Sequence, residues 1–245
     1  CSSDLLAYQS VPAPYSAFKG IKKLPPAHYL VAKDGHVSVE RYWKLSYQDK
    51  LRVETEAAQK ELEAEIVERL REAVRIRLIS EVPLGAFLSG GVDSSGVVAL
   101  MAEASPRAVR TCTIGFDEAG HDERGYARTI AQRFATDHVE RVVRADDFAL
   151  IDTLVGQFDE PFADASALAT YRLCQLAREH VTVALSGDGA DEAMAGYRRH
   201  VFHAGEERVR GLFPAEWRGR LFGTLGRYYP KADWAPRPLR AKTTL

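Results

Sequence analysis

The chain has 245 residues, 46% of them hydrophobic, and a formal net charge of −1, enough apolar chain for the core of one domain and part of another. Such a charge gives no electrostatic reason to expect nucleic acid or an anionic membrane as partner. No uninterrupted apolar run approaches the ~18 residues of a membrane span, and no signal-peptide pattern opens the chain.

In chain order, residues 1–49 carry Pro12, Pro14, Pro25 and Pro26, then a Tyr29-Leu30-Val31 run, Asp34-Gly35 and Val37 to Val39, which predict a β-hairpin. A long helix is expected from Thr55, with Leu62, Ile66, Leu70, Val74 and Leu78 at four-residue intervals as the stripe that covers one face of a sheet. Val82 to Leu88 reads as a short buried strand; it runs into Ser89-Gly90-Gly91-Val92-Asp93-Ser94-Ser95 and then a helical run from Gly96 to Met101. Further strands are predicted at Val109 to Phe116, His138 to Val143 and Val181 to Leu185. Helices are expected from about Glu123 to Ala135, Phe148 to Gln157 and Ala167 to His180. Strands alternating with helices predict a doubly wound, parallel α/β sheet. Beyond Tyr197 the pattern is helical, then broken by Pro230, Pro236 and Pro238.

The cysteines, Cys1, Cys112 and Cys174, are odd in number and lack metal-ligand spacing, which suits a reducing cytoplasm. Cys112 and Cys174 stand among apolar residues and read as small core residues. His200 and His203 lie one helical turn apart without a third ligand and read as surface histidines.

The chemistry concentrates in Ser89 to Ser95. A strand, a turn of small residues and a helix start make an anion cradle: glycines admit close backbone approach, and first-turn N–H groups face the anion. Ser89, Ser94 and Ser95 add hydroxyl donors. There is no Lys as in GxxxxGK[ST], and no GxGxxG spacing. Asp93 stands there instead; an acid beside phosphates implies magnesium between them. The alternative is a turn in which Asp93 or Ser94 caps the helix. Val181 to Leu185 repeats the pattern, ending in Ser186-Gly187-Asp188-Gly189-Ala190-Asp191-Glu192. In an open parallel sheet two such strand ends face one ligand, so Asp93 and Asp191 are expected to share one metal.

SGGVDSS, Thr113 to Ala127, Phe158 to Tyr171 and SGDGADEAMAGY (Ser186 to Tyr197) resemble, in order, the synthetase half of glutamine-hydrolysing asparagine synthetases, within the pyrophosphatase-loop ATPase superfamily. Val11 to Leu30 and Arg41-Tyr42-Trp43 resemble the last stretch of that family's glutaminase domain. The finer likeness is to the asparagine synthetase-like amidotransferases of bacterial exosortase and exopolysaccharide systems. The resemblance implies two segments, residues 1–49 from the edge of a glutaminase domain and residues 50–245 from an ATP-binding domain of the adenine-nucleotide α-hydrolase type, cut short at its end. Cys1 then reads as a fragment boundary rather than a glutaminase nucleophile, and a lysine of the family's later helical region has no counterpart here.

The implied reaction is ATP-dependent: a carboxylate, aspartate or a related acceptor, takes AMP and releases pyrophosphate, then glutamine-derived ammonia makes the amide. A homodimer is one arrangement of the intact protein. Backbone groups at Phe87 and Ile114 would read the adenine, and Ser186 with Gly187 would hold the adenylate. Asp188 would serve as the catalytic acid, where many members have Glu. Asp159 to Asp164 reads either as a site for an acceptor's amino group or as a turn. The alternatives are a non-catalytic nucleotide-binding module and an adenylating amidotransferase for another acceptor, such as a polysaccharide precursor.

Overall fold

The computed structural model describes residues 5, 7–46, 51–117, 122–143, 148–214 and 217. Cys1 and the proline-broken stretch after Trp217 lie outside them. The chain divides into two compact units, residues 1–187 and residues 188–245.

In the first unit, β1 (His28–Lys33) and β2 (His36–Arg41) pair antiparallel, with Lys33 opposite His36. Asp34 and Gly35 both take positive φ, 51° and 76°, as a two-residue hairpin turn of matching twist requires. The helix α1 (Glu56–Arg77) begins where Thr55 accepts a hydrogen bond from Ala58 N at 3.1 Å, with Glu56 in its first turn and Arg75 and Arg77 in its last, opposing its dipole. Its apolar stripe is only partly used. Val74 is buried and Leu78 packs beside it, whereas Ile66 and Leu70 are exposed; α1 packs chiefly on a neighbouring helix, and only its C-terminal end joins the core against the sheet. Residues four apart advance about 40° around a helix, so so long a stripe winds away from any single neighbour.

The sheet is built from β3 (Leu84–Phe87), β4 (Arg110–Phe116), β5 (Asp137–Val143) and β6 (Val183–Leu185). The order is β5-β4-β3-β6, all parallel. Between them run α2 (Val92–Ala104), α3 (Arg124–Arg133), α4 (Ile151–Gln157) and α5 (Ser166–Arg178). The chain steps outward from β3 to β5, then crosses back to place β6 on the other side of β3. The direction of winding therefore reverses between β3 and β6. Two separate cores result. Ala86, Leu88, Val98, Met101, Ala127 and Ala131 pack on one face with Val74. Cys112, Leu176, Ala177 and Val181 pack on the other, with Phe87 and Ile114 against them. This is the doubly wound sheet expected from the alternation of elements.

Three local differences have simple causes. The helix after the Ser-Gly loop starts at Val92, not Gly96, so Asp93, Ser94 and Ser95 belong to its first turn. Phe148 to Leu150 form a single 3-10 turn before α4. Cys174 is exposed whereas Cys112 is buried; Leu176 and Ala177 occupy the inner face of α5 instead.

The second unit contains α6 (Ala190–Met194) and α7 (Arg198–Gly211). His200 stacks on Tyr197, and no group of three or more His, Cys, Asp or Glu side chains is placed to hold a metal among the described residues. No described helix is long and apolar enough to cross a membrane.

Candidate functional site

The end of β3 is tied to β4. Leu88 N donates to Cys112 O at 3.0 Å, and the Thr113 hydroxyl donates to Leu88 O. The chain then turns through Ser89, Gly90 and Gly91. Gly90 has φ 85°, and a β-carbon there would lie 2.5 Å from Tyr126 Cβ and 2.6 Å from Ala127 N. Its bareness lets the loop sit against the start of α3, while Gly91 would meet only Ser89 Oγ at 3.3 Å. Close approach to a ligand is therefore left to Gly91, whose outer side is open.

The serines divide their work. Ser89 Oγ and Ser94 Oγ lie 2.9 Å apart, Ser89 N donates to Ser94 Oγ at 3.2 Å, and Gly91 N donates to Ser89 Oγ at 3.2 Å. Those two hydroxyls thus hold the loop's shape. Ser95 Oγ is buried without a hydrogen-bond partner among the described residues, a state that costs free energy unless a ligand or water meets it. Gly91 is the N-cap of α2, with no side-chain cap, so Asp93 does not cap the helix. It sits in the first turn, half-buried, beside N–H groups that have no partner within the helix.

The end of β6 reaches the same place. A β-carbon on Gly187 would lie 2.7 Å from Ser94 N and 2.8 Å from Asp93 C. Ser186-Gly187 and Ser89 to Ser95 are therefore one assembly, at the point where the sheet reverses its winding and ligands of such sheets bind. Phe87 and Ile114 bury their side chains in the core on the opposite face. What they offer at the strand ends is backbone.

Asp188 and Asp191 belong to the second unit. Asp188 is exposed. The Asp191 carboxylate lies against Gly196, where a β-carbon would collide with it. Glu192 accepts from the Tyr197 hydroxyl at 2.5 Å, which lowers the Glu192 pKa.

In the segment Asp159 to Asp164, Glu160 pairs with Lys23 and accepts from Ala17 N at 3.2 Å, which holds its carboxyl low. Asp164 accepts from Ser166 N at 2.9 Å at the start of α5. Both acids thus have structural partners. A cavity of about 700 Å³ lies between α4 and α5, walled by Leu154, Phe158, Phe162 and Leu168.

Asp122 and Arg124 lie in the stretch Thr113 to Ala127, where the residue pattern assigns them no role. Arg124 donates to Asp122 through Nε at 2.8 Å and Nη2 at 2.7 Å, and the guanidinium holds the Asp122 carboxyl down to about 2. An acid and a base two residues apart carry no signal by themselves; only the fold places them beside Gly115.

Magnesium is usually held by one or two carboxylates together with substrate phosphates, not by a closed protein cage. Asp93 beside first-turn amides that have no partner within the helix fits that requirement.

The asparagine synthase family matches residues 65–244 of the chain. Asparagine synthetase [glutamine-hydrolyzing] 1 of Bacillus subtilis is 32% identical over 194 residues, covering 78% of this chain and 30% of the relative. The putative asparagine synthetase [glutamine-hydrolyzing] 2 of Methanocaldococcus jannaschii is 38% identical over 193 residues, covering 78% and 37%. The chain thus spans about a third of the length of these curated relatives. Among solved structures, the NH3-dependent NAD synthetase of Campylobacter jejuni aligns with a TM-score of 0.39 and 12% identity, over 73% of this chain and 90% of that one.

Proposed function

Because the chain belongs to the asparagine synthase family, we propose that it is the ATP-using part of an amide ligase. Its substrates are ATP, aspartate or a related carboxylate, and ammonia derived from glutamine. The observation that carries this reading is the approach of Gly187 to Ser94 and Asp93, which joins two strand ends into one phosphate cradle at the sheet's reversal.

In this reading the acceptor carboxylate oxygen bonds to the α-phosphorus as the bond to the β-phosphate oxygen breaks. The N–H groups of the first turn of α2 bind the departing pyrophosphate, and the Ser95 hydroxyl supplies a further donor. Asp93 would hold magnesium, which when bound would neutralise charge on the phosphates. Ammonia then attacks the acyl carbon, the bond to the AMP oxygen breaks, and the nitrogen loses a proton. Ser186 and Gly187 flank the AMP side, and backbone groups of Phe87 and Ile114 read the base. On the sequence pattern we keep Asp191 as a second magnesium carboxylate and Asp188 as the acid that handles the intermediate. A cytoplasmic location and a homodimer of the intact protein belong to the same proposal.

Calorimetry of ATP binding with and without magnesium tests it. The expected result is binding that strengthens with magnesium; no ATP binding under either condition would overturn the reading.

A further inference from the structure

We propose that Arg124 forms one wall of the slot for the nucleotide's base, its guanidinium plane lying on the bare backbone of Gly115 at the carboxyl end of β4. The inference rests on the reading above, in which ATP lies across the strand ends and backbone groups of Phe87 and Ile114 meet the base. Gly115 follows Ile114 directly. The Ile114 side chain turns into the core shared with α5, so the Cα of Gly115 faces the side of α2 and α3. A β-carbon there would collide with Arg124 Nε and Cδ and would lie 2.7 Å from Asp122 Oδ1.

A second close approach fixes the same corner. Gly90 of the phosphate loop abuts Tyr126 and Ala127, two and three residues after Arg124. Two bare backbones, one on the loop and one on β4, thus receive the start of α3. Arg124 is carried to the rim of the strand ends, and its side chain is only 23% exposed.

The chemistry selects a base rather than a phosphate. Asp122 engages two guanidinium donors in the plane of the group, which neutralises the charge and locks the plane. A neutralised, planar guanidinium stacks on heteroaromatic rings more readily than it competes for phosphate. The phosphate donors sit elsewhere, on α2 beside β6, whereas Gly115 lies one strand further out. The ligand chemistry of this wall is therefore a planar heteroaromatic base.

The test compares ATP with tripolyphosphate, which has the phosphates and no base, by calorimetry with magnesium on the intact protein. Arg124→Met removes the plane, and Gly115→Ala keeps the charge but displaces the guanidinium. Both should weaken ATP binding by about tenfold or more, the scale of losing one stacking partner, and leave tripolyphosphate binding within about twofold. Arg124→Lys, which keeps charge but not plane, should behave like Arg124→Met; it is the variant to rely on if Arg124→Met fails to fold. ATP binding unchanged in all folded variants would overturn the wall while leaving the proposed function intact. Equal loss of ATP and tripolyphosphate would overturn it too, because Arg124 would then act through the phosphate loop. Failure of the unaltered protein to bind ATP would overturn the proposed function instead.

Discussion

Gly187 stands so close to Ser94 that a β-carbon on it would lie 2.7 Å from the Ser94 nitrogen. The contact joins residues 93 positions apart, one on the loop after β6 and one in the first turn of α2. Backbone, not a side-chain tip, is the obstacle, so the strain cannot be relieved by rotating a rotamer.

The first prediction follows from that contact. Gly187→Ala should push the two strand ends apart, lowering stability by about 1–3 kcal/mol in urea unfolding as an overpacked site does, and it should weaken ATP binding measured by calorimetry. ATP affinity equal to the unaltered protein would show that the two ends do not act on one ligand.

Asp93→Asn preserves shape and removes the carboxylate. The magnesium enhancement of ATP binding should disappear. In the intact protein, amide formation from added ammonia should fall by about a hundredfold, the order lost with one positioned charge-stabilising group. Glutamine hydrolysis should largely persist. Ammonia-dependent synthesis at the original rate would remove the metal role from Asp93.

At the other end of the unit, Thr55→Ala deletes the hydrogen bond to Ala58 N. Urea unfolding should report a loss of about 1 kcal/mol, typical of an N-cap, with ATP affinity unchanged. A change in ATP affinity would show α1 to be coupled to the nucleotide loop.

A pH dependence is expected from His138. Its Nδ1 lies 2.9 Å from the Thr111 hydroxyl, its Nε2 is buried without a hydrogen-bond partner among the described residues, 3.9 Å from a Glu140 carboxylate oxygen, and burial lowers its pKa below 6.5 against a smaller opposing effect of Glu140. The unfolded chain therefore binds this proton first as pH falls. Stability is fully present above about pH 6.5 and declines as pH drops toward the folded value. Thermal melting between pH 8 and 5.5 should show the decline, flattened in His138→Asn. An identical slope in both proteins would exclude His138 as its source.

Much of the sheet was legible along the chain because strand and helix periods are local. Val109 to Phe116 and His138 to Val143 predict strands that the fold places within a residue of those bounds. The strand, turn and helix start around Ser89 to Ser95 were legible from residue type. The hydroxyls were less legible: three serines look alike in sequence, yet Ser89 and Ser94 bond each other and Ser95 alone is buried without a partner among the described residues. Cys174 misled for a similar reason, since apolar neighbours along a helix do not say which of them turns inward.

By itself the sequence determined the alternation of elements and the two Ser-Gly ends with their acids, because these depend on spacing of a few residues. Only the tertiary structure decided that β6 lies beside β3 and not beyond β5. That placement brings Gly187 onto Ser94. It likewise decided that Gly90 is bare to admit Tyr126 and Ala127, and Gly115 to admit Arg124. Periodicity tells a strand which faces it must bury, but which strand becomes its neighbour is settled by packing between residues far apart in the chain, and no local pattern encodes that choice.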